Sequence, residues 1–216
     1  MKNIFFRNIT TGIGLILLSS VMSLTLSGED SSHHINKMMI DNNQSQVRWK
    51  AIKSSGSSHD GIIKIKTGEV YVRDEDNSLV TGKIIIDMVS ITCTDIEDES
   101  SNYSLVTHLK SNDFFNVDTF TTAELVISNT ESIHDEKDSY LINGTLTIMD
   151  STHPIQFKAL IASLDSLSVK AAGVIPVDRV KYGIKYKSKT WHKDLGDHFI
   201  DDIFYISFNV VATHKK

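Results

Sequence analysis

Six residues crowd the stretch before the last apolar run of the chain: His192, Asp194, Asp197, His198, Asp201 and Asp202. Imidazole nitrogens and carboxylate oxygens are ligands of divalent metals, and a metal held here would make a small exported metal-dependent enzyme. The spacing matches no compact ligand motif such as H-E-x-x-H, and carboxylates this dense equally describe a solvated loop, so no metal is expected. Cys93 is the only cysteine. It has no organised His/Asp partners in sequence, so it reads as a small buried side chain rather than a nucleophile. G-x-S-x-G, P-loop and Rossmann glycine patterns are all missing from the sequence. Asp178-Arg179 could form a structural ion pair or meet a ligand head group. The lysine-rich run Lys181–Lys193 could attract an anion or be a solvated strand or loop. No catalytic residue and no cofactor is therefore expected.

The elements around these residues read as strands. Val47, Trp49 and Ala51 alternate with Gln46, Arg48 and Lys50, the period of two expected of a strand with one wet face. Ile63 and Ile65 alternate with Lys64 and Lys66 and continue past Gly68 to Val72. Val80, Ile84, Ile86 and Met88 share one parity, and Asp74–Asn77 before them reads as a turn. Ala123, Leu125 and Ile127 follow, then Tyr140, Ile142, Gly144, Leu146 and Ile148. After a turn over Asp150–Pro154 come Ile155, Phe157, Ala159 and Ile161, then Val169, Ala171, Gly173 and Ile175. A polar excursion over 181–202 leads to Phe204, Ile206, Phe208, Val210 and Ala212. Eight strands with turns between most of them, and little room for crossover helices, predict an all-β, antiparallel fold.

Between the strand ending near Met88 and the one beginning near Thr122, the pattern changes. An acidic polar loop leads to a short helical segment near residues 101–112, followed by the adjacent Phe114 and Phe115. A helical plug amid strands suggests an antiparallel barrel with one end partly closed. Eight strands is also the number at which a barrel holds either packed side chains or one small ligand. The inward parity nominates thirteen lining residues: Trp49, Ile63, Ile65, Ile84, Ile86, Met88, Leu125, Ile142, Leu146, Phe157, Phe204, Ile206 and Phe208. Alternation alone does not separate a ligand barrel from a structural β-sandwich without a ligand.

The N-terminus reads as a secretory signal peptide over 1–27, with a basic start (Lys2, Arg7), an apolar run Ile9–Leu18, and small residues before Gly28 or near Ser23. An uncleaved anchor is the alternative. Residues 28–44 read as a flexible linker and 45–214 as the barrel. Export without disulfides fits a periplasmic or otherwise exported protein, with no stable membrane span after cleavage. The 216-residue chain carries a formal charge of −5. Loss of Lys2 and Arg7 would leave 20 basic against 27 acidic residues, or −7. That balance argues against nucleic acid as a partner, because phosphate neutralisation needs clustered Lys and Arg.

From about residue 44 to 213 the chain resembles the YceI family of exported, polyisoprenoid-binding, lipocalin-like proteins. The resemblance is carried by W-x-A at Trp49, H-D-G at His59–Gly61, I-D-M-V-S-I at Ile86–Ile91 and H-L-K-S-N-D-F-F-N-V at His108–Val117. It continues through Y-L-I-N-G-T-L-T-I and T-H-P-I-Q-F between Tyr140 and Phe157, I-P-V-D-R-V-K-Y-G-I at Ile175–Ile184, and D-D-I-F-Y-I-S-F-N-V-V-A from Asp201 to Ala212. The order and spacing of these pieces carry more than any one of them. The chain departs from the family in two turns, at Thr119-Phe120-Thr121 and at Asp150. The resemblance implies an eight-stranded antiparallel lipocalin-like barrel, and a long apolar lipid, an isoprenoid above all, as the partner held inside it. A homodimer is compatible with the sequence.

Overall fold

The structure, a computed structural model, describes residues 34–73, 75, 78–165, 167–192 and 199–214. The segment read as a signal peptide, the first part of the expected linker, and Asp194, Asp197 and His198 lie outside the described residues. The alternating segments form β1 (Ile35–Ile40), β2 (Gln46–Ile52), β3 (Ser58–Arg73), β4 (Leu79–Asp87), β5 (Thr122–Ser132), β6 (Ser139–Ile148), β7 (Ser151–Asp165), β8 (Ser168–Asp178) and β9 (Ile203–His214). One helix, α1 (Glu99–Lys110), lies between β4 and β5.

All strand pairings are antiparallel, and they close on themselves. β1 and β2 share one lane. Met38 of β1 pairs with Val70 of β3 and His214 of β9, while Val47 of β2 pairs with Ile63 and Phe208 of the same two strands. Nine strands therefore make eight lanes, and the β3–β4 pairing completes an eight-stranded antiparallel barrel.

Ile35–Ile40 corrects the reading of 28–44 as linker, and the barrel begins ten residues earlier than the expected start at 45. The segment shows only two inward apolar positions, fully buried Met38 and partly buried Ile40, too few for a period to register. Its ladder comes from the lengths of β3 and β9 that extend beyond β2. Between β1 and β2 the chain leaves the lane through a turn organised by Asp41, whose carboxylate accepts from Asn43 N–H at 2.9 Å and Gln44 Nε2 at 2.7 Å.

Two further details differ from the alternation pattern. A register shift between Tyr71 and Val72 puts Leu79, rather than Val80, on the inner wall, because one extra residue inverts the parity beyond it. The turn expected over Asp150–Pro154 is tighter, with Met149 at φ 55° and β7 already under way at Ser151. Pro154 is tolerated inside β7 because it pairs only with Thr145 of β6; the pairing of β7 with β8 begins at Ala159.

Inward glycines let the sheet close. A Cβ at Gly144 would stand 2.1 Å from the carbonyl oxygen of Val126. A Cβ at Gly61 would meet the Thr92 carbonyl oxygen at 1.8 Å, beside the indole of Trp49. Among the described residues no helix is long and apolar enough to cross a membrane.

Candidate functional site

Inside the barrel lies an unfilled cavity of about 210 Å³. All thirteen residues nominated from parity stand on its wall: Trp49, Ile63, Ile65, Ile84, Ile86, Met88, Leu125, Ile142, Leu146, Phe157, Phe204, Ile206 and Phe208. They meet there because each occupies the inner parity of its strand, and the closed ring turns all inner faces toward one axis. Small side chains opposite large ones leave the space open, as where Ala171 of β8 faces the interior between Ile161 and Val210. Trp49 is fixed by its indole N–H, which donates to the Thr92 carbonyl at 2.9 Å. Phe157 and Phe208 meet edge to face at 5.8 Å.

One end is closed by the segment between β4 and β5 and the one between β8 and β9. Asp98 starts α1, its carboxylate accepting from Ser101 N–H at 2.8 Å. The helix covers Glu99–Lys110, close to the expected 101–112, and buries Leu109 on the cavity wall. A tight turn through Asn116, at φ 42°, then directs Phe114 and Phe115 inward. Phe114 is buried and Phe115 half-buried. Phe114 packs against His108 at 5.0 Å and Tyr186 at 5.4 Å, and Phe115 against Phe204 at 6.4 Å. The two rings thus lock α1 to both the barrel and the 181–202 excursion.

Among the described residues Arg179 is the only charged one on the cavity wall, and it is buried. Its Nε donates to the Asp201 carbonyl at 3.0 Å, Nη1 to those of Ile184 (3.1 Å) and Tyr186 (2.8 Å), and Nη2 to that of Ile200 (2.9 Å). Its ionic partner is Asp202, 3.5 Å away, while Asp178 instead caps the following turn by accepting from Val180 N–H. Burial lowers the guanidinium pKa from its ordinary value, against the opposing pull of Asp202, Asp178 and Asp201. On Asp202 burial pushes the carboxyl up, but Ser188, Thr190 and Arg179 outweigh it and hold the pKa below the ordinary value. Arg179 therefore staples the excursion across the barrel mouth, with four guanidinium N–H groups committed to carbonyls.

Sequence alternation missed Ile40, Ile91, Leu109, Ile184 and Ile200, which also line the cavity. A usable signal existed for Ile184: Tyr182, Ile184, Tyr186 and Ser188 turn inward while Lys181, Lys185, Lys187 and Lys189 point outward, again with a period of two.

Among the described residues the chemistry-bearing side chains do not converge. Of the His/Asp patch, Asp202 is engaged by Arg179 and by Thr190, whose hydroxyl donates to it at 2.5 Å. Among the described residues no group of three or more His, Cys, Asp or Glu is placed to hold a metal ion. Cys93 is buried, and its thiol lies 3.1 Å from an Asp95 carboxylate oxygen. Burial, then the hydrogen bond to Asp95, raises the thiol pKa, which keeps it a protonated donor. At Asp95 burial works to raise the carboxyl, but the Asp60 N–H, the Cys93 thiol and His59 prevail and bring its pKa to about 2. His59 Nδ1 lies 2.9 Å from Asp95 and its Nε2 3.1 Å from Lys53 Nζ, so both ring nitrogens are occupied.

The profile of the YceI-like domain matches residues 38–212. No curated protein matches at a significant level. Among solved structures, Burkholderia cenocepacia BcnA superposes with a TM-score of 0.63 at 21% identity, over 81% of this chain and 99% of that one. A polyisoprenoid binding domain from Saccharophagus degradans, implicated in plant cell wall breakdown, gives 0.61 at 11% identity, over 84% and 100%. Campylobacter jejuni YceI protein gives 0.52 at 14% identity, over 100% of both chains. At these identities the likeness carries the fold.

Proposed function

The chain belongs to the YceI-like family, and from that premise we propose that it is a non-catalytic carrier or sink for a long apolar lipid, an isoprenoid by preference, held inside the barrel. The observation that carries this reading is an unfilled interior whose wall, among the described residues, is apolar except for Arg179. A methylene taken from water contributes about 0.8 kcal/mol, whereas a net hydrogen bond to a head group contributes about 1 kcal/mol. A tail of tens of carbons therefore dominates affinity. Arg179 supports the same view, because its donors already serve backbone carbonyls and leave little for a head group. The ligand is selected by the length and girth of its tail, with the thirteen parity residues as its contacts. The carrier works after export and after removal of the signal segment between about Ser23 and Gly28.

The test is a titration of delipidated protein with isoprenoid quinones and with polyprenyl phosphates, in parallel with Ile142→Lys. Ile142 is fully buried on the wall, and a lumenal ammonium should abolish binding of both ligand classes. Failure of every long-chain lipid to bind the unmodified protein would refute the carrier reading. Export is checked by N-terminal sequencing of protein from the native host, and a mature chain that still begins at Met1 would refute cleavage.

A further inference from the structure

The loop Lys181–His192 has a face that the cavity does not use. Its inward residues Tyr182, Ile184 and Ser188 are buried, and Ile184 lines the cavity. Its outward residues are Lys181, Lys185, Lys187, Lys189 and Trp191, all exposed, with the residue Trp191 left 52% exposed. Lys185 Nζ lies 3.7 Å over the Trp191 ring, Lys187 Nζ lies 5.5 Å from the Tyr186 ring, and Lys189 Nζ 5.0 Å from that of Phe199. Thr190 bonds to Asp202 and so holds Trp191 beside the start of β9, where Ile203 and Tyr205 are also exposed. From 181 to 192 there is no acidic residue, and from 181 to 198 five lysines face two aspartates, in a chain whose net charge is −5.

We propose that this loop docks the mouth of the barrel on an anionic lipid bilayer, with the lysines on the head groups and Trp191 at the interface. The charge of the patch is opposite to that of the molecule and complementary to anionic lipid, which attracts basic side chains close to the surface. An aromatic ring with a long-stemmed cation beside it suits the boundary between acyl chains and water. Continuity with the cavity adds the purpose: the same loop presents lysines outward and Ile184 inward, so docking places the mouth at the bilayer. That purpose, though not the docking itself, rests on the carrier reading above.

The experiment uses co-sedimentation with vesicles of pure phosphatidylcholine and of phosphatidylcholine mixed with phosphatidylglycerol, at low and high salt. Purified chain is compared with the triple variant Lys185→Gln, Lys187→Gln, Lys189→Gln and with Trp191→Phe. All variants share the N-terminal apolar run, so differences among them report the loop. Binding should favour the anionic vesicles, weaken with salt, and fall by about a hundredfold in the triple variant. Tryptophan emission should shift to the blue on binding, and Trp191→Phe should abolish the shift, since Trp49 is buried and already bonded. Equal binding to both vesicle types, or a triple variant that binds like the unmodified chain, would overturn docking. So would a protein dimer that depends on Trp191 without vesicle binding, which would assign the face to a second copy. Titration of a quinone into the triple variant separates the two readings: retained uptake with lost docking is expected, and lost uptake in the unmodified chain refutes the carrier alone.

Discussion

Replacing Ala171 with phenylalanine should fill the barrel without unfolding it. Ala171 projects from β8 into the cavity, across from Ile161 and Val210 on the neighbouring strands. An unfilled volume of 210 Å³, at about 24 cal/mol per Å³, costs ~5 kcal/mol. That is as large as the whole stability of many domains, about 5–15 kcal/mol, so a core shaped for stability alone would have closed it. A phenylalanine entering real space gains about 1.5–3 kcal/mol by burial; one forced into a filled core loses about 1–3 kcal/mol. At this chain length 1 kcal/mol moves Tm by about 2–4 °C. Delipidated Ala171→Phe should therefore melt a few degrees above the unmodified protein in calorimetry. Displacing three or four methylenes of a bound tail should at the same time cost about 3 kcal/mol, or roughly a hundredfold in lipid affinity. A variant that melts well below the unmodified protein and still binds lipid as tightly would show that the space is not where a ligand sits.

Phe114→Ala should cost about 3–5 kcal/mol and Phe115→Ala less, since only Phe114 is buried; thermal melts of both within a degree or two of the unmodified protein would mean that they do not anchor the plug. Arg179→Met keeps the stem but strands four carbonyls and Asp202, so a loss of about 3–5 kcal/mol is expected in denaturant unfolding, with faster lipid exchange through the loosened mouth. Asp95 has a folded pKa of about 2, below its ordinary value of 3.8. Its stabilisation is therefore fully present above about pH 4 and lost as pH falls toward 2. Asp95→Asn should lower Tm at pH 7, and the gap should close near pH 2; a gap independent of pH would remove the ionised carboxylate from the explanation.

What the sequence made legible follows from how a closed barrel constrains it. A two-residue period has to hold wherever one face is dry, so β2, β6 and β9 announced their inner residues, and thirteen wall positions could be named before any geometry was known. The signal failed where the period is broken or too short. One register shift moved Leu79 inward in place of Val80, and β1 had only Met38 and Ile40 to show. At Arg179 the sequence pointed to a structural ion pair but not to the partners. The carbonyls that receive the guanidinium come from Ile184, Tyr186, Ile200 and Asp201, and backbone oxygens leave no trace in residue identity. Its neighbour Asp178 looked like the partner, but Asp202, 23 residues further along the chain, holds that place. The lysine run shows the same limit from the other side. As a string it reads as an anion site or as a solvated strand or loop. The burial of Tyr182 and Ile184 beneath it turns the alternation into a face whose lysines point out. On the proposed carrier reading the cargo comes from a bilayer, and the loop stapled by Arg179 is the one that turns Lys181, Lys185, Lys187 and Lys189 outward.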